Sequence, residues 1–134
     1  MNGRFFIVAI VFIFSFINGN ASFNDSLITG TWKGTSICQV KDSPCHDEIA
    51  ICHVNLTDRP GVYQFVMNKM VNGIEEEMGT ADYIFNGKEK SLTWVDKTRN
   101  SIWTFYVDSK SKTMEGTLYY KRQLYRVIKL TKEK

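Results

Sequence analysis

The sequence predicts an all-β domain built as an eight-stranded antiparallel up-and-down barrel. Three observations carry that prediction. Period-two alternation of apolar and polar residues recurs from Ile28 to Thr131. Turn dipeptides punctuate it at Pro60-Gly61, Asn72-Gly73 and Asn86-Gly87, where residues able to take positive φ are needed for tight reversals. No useful window places apolar residues at i, i+3, i+4 and i+7, so helix is a minor component.

The first strand spans about Ile28 to Cys38 and carries Trp32, and the second about Glu48 to Asn55. Val62 to Met70, Glu76 to Phe85, Ser91 to Asp96 and Ser101 to Asp108 follow. Thr113 to Tyr120 and Leu124 to Thr131 complete the set. Arg99-Asn100, Asp108 to Lys112 and Lys121 to Gln123 close the later hairpins, and a short turn is expected before Gly30 or near Asp42 to Asp47. Connections this short make sequential strands antiparallel neighbours. A meander leaves two exposed edges unless the sheet closes on itself. A two-sheet sandwich is the alternative, but it needs Greek-key crossovers and the connections read as successive hairpins.

Residues Met1 to Ala21 read as an export signal. Arg4 supplies the positive start, Phe5 to Ile17 the apolar run, and Gly19 and Ala21 the small residues before a cut at Ser22. The apolar run is shorter than the roughly 17–25 residues of a membrane-spanning helix. The expected mature chain, residues 22–134, is one domain in a secreted or periplasmic setting, with no membrane span after cleavage. The net charge is only +3 and the charges are interspersed, so no nucleic-acid footprint is present.

The three cysteines, Cys38, Cys45 and Cys52, recur every seven residues. Export favours oxidation, and three pairings are open. A Cys38–Cys45 bridge is favoured because it pins the irregular connection after the first strand. Cys52 shares a strand face with Ala50 and Val54 and is expected as a buried free thiol. Cys45-His46 and Cys52-His53 do not have the spacing of a zinc pair or a haem signature, so neither metal nor cofactor is expected. His46, Asp47 and Glu48 form a polar cluster that reads as a solvated loop, and Glu75-Glu76-Glu77 reads as a solvated rim. No Ser or Cys is tied to a base by a recognisable motif, so a non-enzymatic protein is expected.

At Gly30-Thr31-Trp32-Lys33-Gly34 the chain resembles the calycin superfamily of lipocalins, fatty-acid-binding proteins and avidins. The resemblance implies a lipocalin-like barrel whose Trp32 plugs the narrow end against an arginine from near the last strand. Arg126 is the candidate for that arginine, with Arg122 second. The chain departs from the superfamily in having no helical pattern after its last strand and no helical lid between Cys38 and Glu48. Gly30-Thr31-Trp32-Lys33-Gly34-Thr35-Ser36, Ser43-Pro44-Cys45-His46-Asp47-Glu48 and Lys69-Met70-Val71-Asn72-Gly73 also resemble a group of small exported bacterial proteins of unknown function. Met114-Glu115-Gly116-Thr117-Leu118 and Leu124-Tyr125-Arg126 extend that likeness.

Aromatic residues make up 13% of the chain, and those beyond the leader fall mostly on strands. They fill a core or line a cavity that carries a few polar handles. Arg126, Gln64, Asn68, Thr80, Asp82 and Thr104 are the candidate handles, since several lie between apolar neighbours. The expected function is binding of a small hydrophobic or amphipathic ligand in the barrel interior, entered opposite Trp32. The alternative is a protein-interaction module, such as a hydrolase inhibitor, acting through rim loops such as Gln39 to Glu48.

Overall fold

In the computed structural model, which describes residues 24–134, eight antiparallel strands close into a barrel in sequence order. They are β1 (Gly30–Cys38), β2 (Glu48–Leu56), β3 (Val62–Val71), β4 (Ile74–Asn86), β5 (Ser91–Asp96), β6 (Ser101–Asp108), β7 (Thr113–Tyr120) and β8 (Gln123–Lys132). β5, β6 and β7 have the limits that the alternation predicts. The leader expected at residues 1–21 lies outside the described residues. Among the described residues no helix is long and apolar enough to cross a membrane.

The turns follow from local chemistry. Val62 N–H donates to Arg59 O across Pro60-Gly61, with Gly61 at φ 73°. Asn72 and Gly73 both take positive φ, which is the two-residue hairpin whose twist suits its strands. The next three hairpins share one device. The side-chain oxygens of Asn86, Asp96 and Asp108 each accept two backbone N–H groups of the turn that follows. Each turn then ends on a left-handed residue: Lys90, Asn100 or Lys112. At Asn86-Gly87 the positive φ therefore falls on Lys90, and Gly87 is not needed for it. Ser111 and Lys110 N–H groups on the Asp108 carboxylate hold its pKa below the ordinary aspartate value.

One end of the barrel is sealed. Trp32 and Ile28 are fully buried, and the Trp32 indole N–H donates to Ile28 O at 2.8 Å. Beneath them a short 3-10 turn, Asp25–Leu27, is capped by Asn24. Tyr63 hydroxyl donates to the Asp25 carboxylate and Lys132 ammonium to Ser26 O, so two strands hold this turn in place. Above Trp32 the interior is packed with rings. Phe65 stacks on Tyr83 at 4.1 Å, and Phe105 meets them at 5.4 and 5.8 Å. A Cβ on Gly116 would lie 2.4 Å from the Phe105 ring, so the absence of a side chain there is what admits Phe105. Ring pairs of this kind contribute about 0.5–1.5 kcal/mol beyond their area.

The wall is uneven. β3 and β4 pair from Val62↔Ile84 to Val71↔Ile74, with a register shift that leaves Met78 as an extra residue on β4. β4 and β5 pair only at Ile84↔Thr93, Phe85↔Leu92 and Asn86↔Ser91. A bulge bends its strand and increases local twist. Before Ile84, β4 is paired to β3 alone, while β3 stays paired to β2 as far as Lys69.

The β7–β8 turn puts two non-glycine residues, Lys121 at φ 48° and Arg122 at φ 64°, in the left-handed region. Replacing the pair by Asn-Gly (Lys121→Asn with Arg122→Gly) is expected to raise unfolding stability by about 1 kcal/mol. Chemical denaturation of the double variant checks it.

Candidate functional site

The pleat decides which predicted handles reach the interior. Val54, Phe65 and Tyr83 are buried and face in, so the residues in the opposite phase face out. Gln64 pairs with Asn55 and Asp82, and Thr80 with Val66, on the outer face. Thr104 sits between Thr93 and Thr117 in an outward threonine row. Asp82 binds Arg59 at 2.8 Å on the surface. Asn68 lies opposite Ile51, one residue out of phase with Met67. The expectation that Gln64, Asn68, Thr80, Asp82 and Thr104 line the interior therefore does not hold. Having apolar neighbours on both sides in sequence is what an outward residue of a half-buried strand also has.

Arg126 does face inward. It is 9% exposed, and it lies at the end opposite Trp32. Its Nη1 donates to Ser36 Oγ and to His46 O, both at 3.0 Å, and sits 3.7 Å from Glu48 Oε2. Lys69 Nζ approaches the other Glu48 oxygen at 3.9 Å. The resemblance placed Arg126 against Trp32. The cation over that indole is instead Lys132, at 5.7 Å from the ring centroid. The cause is position along β8: Lys132 pairs with Trp32, whereas Arg126 pairs with Cys38 at the far end of β1.

Around Arg126, at the end opposite Trp32, burial is lower. Trp94, Trp103, Leu118, Arg126 and Cys38 form one inward cross-strand row. Trp94 and Trp103 stack at 6.5 Å and are half-buried. Tyr83 lies 6.0 Å from Trp94, so rings continue from the packed floor to the mouth. Glu48 and Lys69 complete the opposite side. They were legible in the sequence, since Glu48 is in phase with Ala50, Cys52 and Val54, and Lys69 with Phe65 and Met67.

The rim is stiffened by a disulfide between Cys38 and Cys45, with Cα atoms 6.0 Å apart. Cys38 N–H donates to the Asp47 carboxylate at 2.8 Å, and Gln39 N–H donates to Tyr125 O at 2.9 Å. Tyr125 is the extra residue of a β8 bulge, so the irregular strand and the irregular loop satisfy each other. Arg126 bonds His46 O, on the residue that follows Cys45, so the chain leaving the bridged loop is also held. A disulfide fits an oxidising compartment.

Two further features lie elsewhere. Cys52 is buried free thiol, and desolvation pushes its pKa far above the ordinary range. On the outer face Glu75 accepts from Asn68 at 2.7 Å and from His53, whose other ring nitrogen is 3.2 Å from Thr31 Oγ1. Those bonds, from Asn68 first and His53 second, hold the Glu75 pKa below its ordinary value. Among the described residues no three His, Cys, Asp or Glu side chains converge as metal ligands would.

Arg126→Met leaves Ser36 Oγ and His46 O without their shared donor and Glu48 without its nearest cation, at a nearly buried place. It is expected to lower stability by about 2–3 kcal/mol, read by equilibrium denaturation. Cys52 is expected to stay inert to an aromatic disulfide reagent in the native protein and to react once the chain is unfolded, counted by absorbance. Reaction of the native thiol at a free cysteine's rate contradicts its burial.

No protein-family model matches this chain, and no curated protein matches it.

Proposed function

We propose that the protein is an exported, non-enzymatic binding protein that seats a small apolar or amphipathic molecule at the open mouth of the barrel. One observation carries this reading: the half-buried Trp94–Trp103 stack stands in the same inward row as Arg126, above a floor of packed rings. An apolar ligand face laid on the two indoles would bury surface worth about 25 cal/mol per Å². The Arg126, Glu48 and Lys69 groups opposite would orient a polar end. The ligand would be shallow, because Phe65, Tyr83 and Phe105 already occupy the space beneath. This differs from a deep calycin cavity, although the Gly30-Thr31-Trp32 start and the sealed narrow end resemble that superfamily.

The leader pattern and the Cys38–Cys45 bridge support export. The bridged loop supports a second reading, a rim surface that contacts another protein, because a loop already held in shape loses little entropy on binding.

The test uses 8-anilinonaphthalene-1-sulfonate, an apolar anion, titrated against the native protein. Saturable binding with quenching of tryptophan emission is expected. Trp103→Ala is expected to weaken it at least tenfold, while Tyr106→Ala, on the outer face, leaves it unchanged. Equal affinity in all three proteins, each shown folded by circular dichroism, contradicts a ligand seat at the mouth.

A further inference from the structure

The seam between β4 and β5 contains an unused strand edge. From Glu75 to Tyr83, β4 pairs with β3 on one side, and among the described residues no strand pairs with it on the other. Glu75 to Thr80 are all exposed. Alternate residues on such an edge present free N–H and C=O groups, which is a template for an added strand. β5 ends at Asp96 and pairs with β4 only from Ser91 to Thr93, so it does not cover this edge. Beside it, along the β4–β5 seam, a groove of about 450 Å³ is lined by Asp82, Ile84, Glu89, Thr93, Trp94 and Val95. Ile84 and Val95 are 66% and 52% exposed and give that groove an apolar floor.

We propose that the β4 edge binds an extended basic peptide segment by strand addition. The backbone of the partner pairs with β4, its apolar side chains lie on Ile84 and Val95, and its lysines or arginines face the carboxylates. Charge selects this occupant. The edge and its groove carry Glu75, Glu76, Glu77, Asp82 and Glu89. Asp82 already holds Arg59, Glu75 holds His53 and Asn68, and Glu77 accepts from Thr80 Oγ1; among the described residues no cation forms an ion pair with Glu76, Glu77 or Glu89. A second copy of the chain is disfavoured by the same charges. Antiparallel pairing of two β4 edges brings Glu75–Glu77 of one copy against Asp82 of the other, and like charges across a strand pair destabilise it. Main-chain pairing supplies affinity in this mode, and alternate side chains supply selectivity.

The probe is an acetylated, amidated eight-residue peptide of alternating lysine and valine. Hydrogen exchange of the β4 amides is followed by NMR. Saturable binding that slows exchange at Met78 to Asp82 at least tenfold is expected. Affinity should fall at least tenfold for Glu77→Lys with Glu89→Lys, and the same peptide N-methylated at alternate residues should not bind. Trp103→Ala should leave peptide affinity unchanged, which separates this site from the mouth. Equal binding of the N-methylated peptide, protection that appears only outside β4, or no binding at millimolar peptide each overturns the proposal. Should the double charge reversal fail to fold, the N-methylated peptide and the exchange pattern decide it on the native protein.

Discussion

The close approach of β1 and β8 at Gly34 is the constraint on which the rest of the structure depends. A Cβ there would lie 1.8 Å from Lys129 O and 3.0 Å from Leu130 Cα. These are backbone atoms of a central strand, so a side chain cannot be accommodated by a rotamer change. Glycine lets β1 bend and lets the first strand meet the last, from Trp32↔Lys132 to Cys38↔Arg126. Closure then fixes both ends at once. It brings Lys132 over the Trp32 indole at the sealed end, and it brings Arg126 to Ser36 and the rim loop at the open end.

Between those ends the barrel is a graded structure. Large rings pack without room to spare around Gly116 near the middle. Toward the mouth the burial falls, and the indoles of Trp94 and Trp103 keep partly accessible faces. The wall loosens in the same direction, since β4 leaves β5 after three paired residues. The proposed ligand seat and the free strand edge lie in this looser half, where β4 is paired to β3 alone. Trp94 borders both places, whereas Trp103 belongs to the mouth and Ile84 and Val95 to the groove beside the edge.

Strand order, number and closure were legible because alternation and turn chemistry agreed along the whole chain. The Asx turns at Asn86, Asp96 and Asp108 explain why hairpins without a central glycine still reverse cleanly. Spacing and an oxidising compartment favour the Cys38–Cys45 pairing among three, and it is the bridge present. Site residues were harder. Apolar neighbours single out Gln64, Asn68, Thr80, Asp82 and Thr104, whereas phase relative to Phe65, Tyr83 and Phe105 is the informative property. Arg126 faces inward, but its height on β8 depends on the shear of the barrel, which no local pattern reports. The Met78 bulge was invisible for a similar reason: an extra residue in one strand has meaning only against its partner.

Gly34→Ala is the most direct test of closure. Overpacking against backbone is expected to lower unfolding stability by more than about 2 kcal/mol, measured by equilibrium denaturation. Native-state hydrogen exchange should show β1 and β8 amides losing protection together, with β5 and β6 affected least. Unchanged stability with full protection at the β1–β8 pairs would contradict a barrel that shuts on the bare backbone of Gly34.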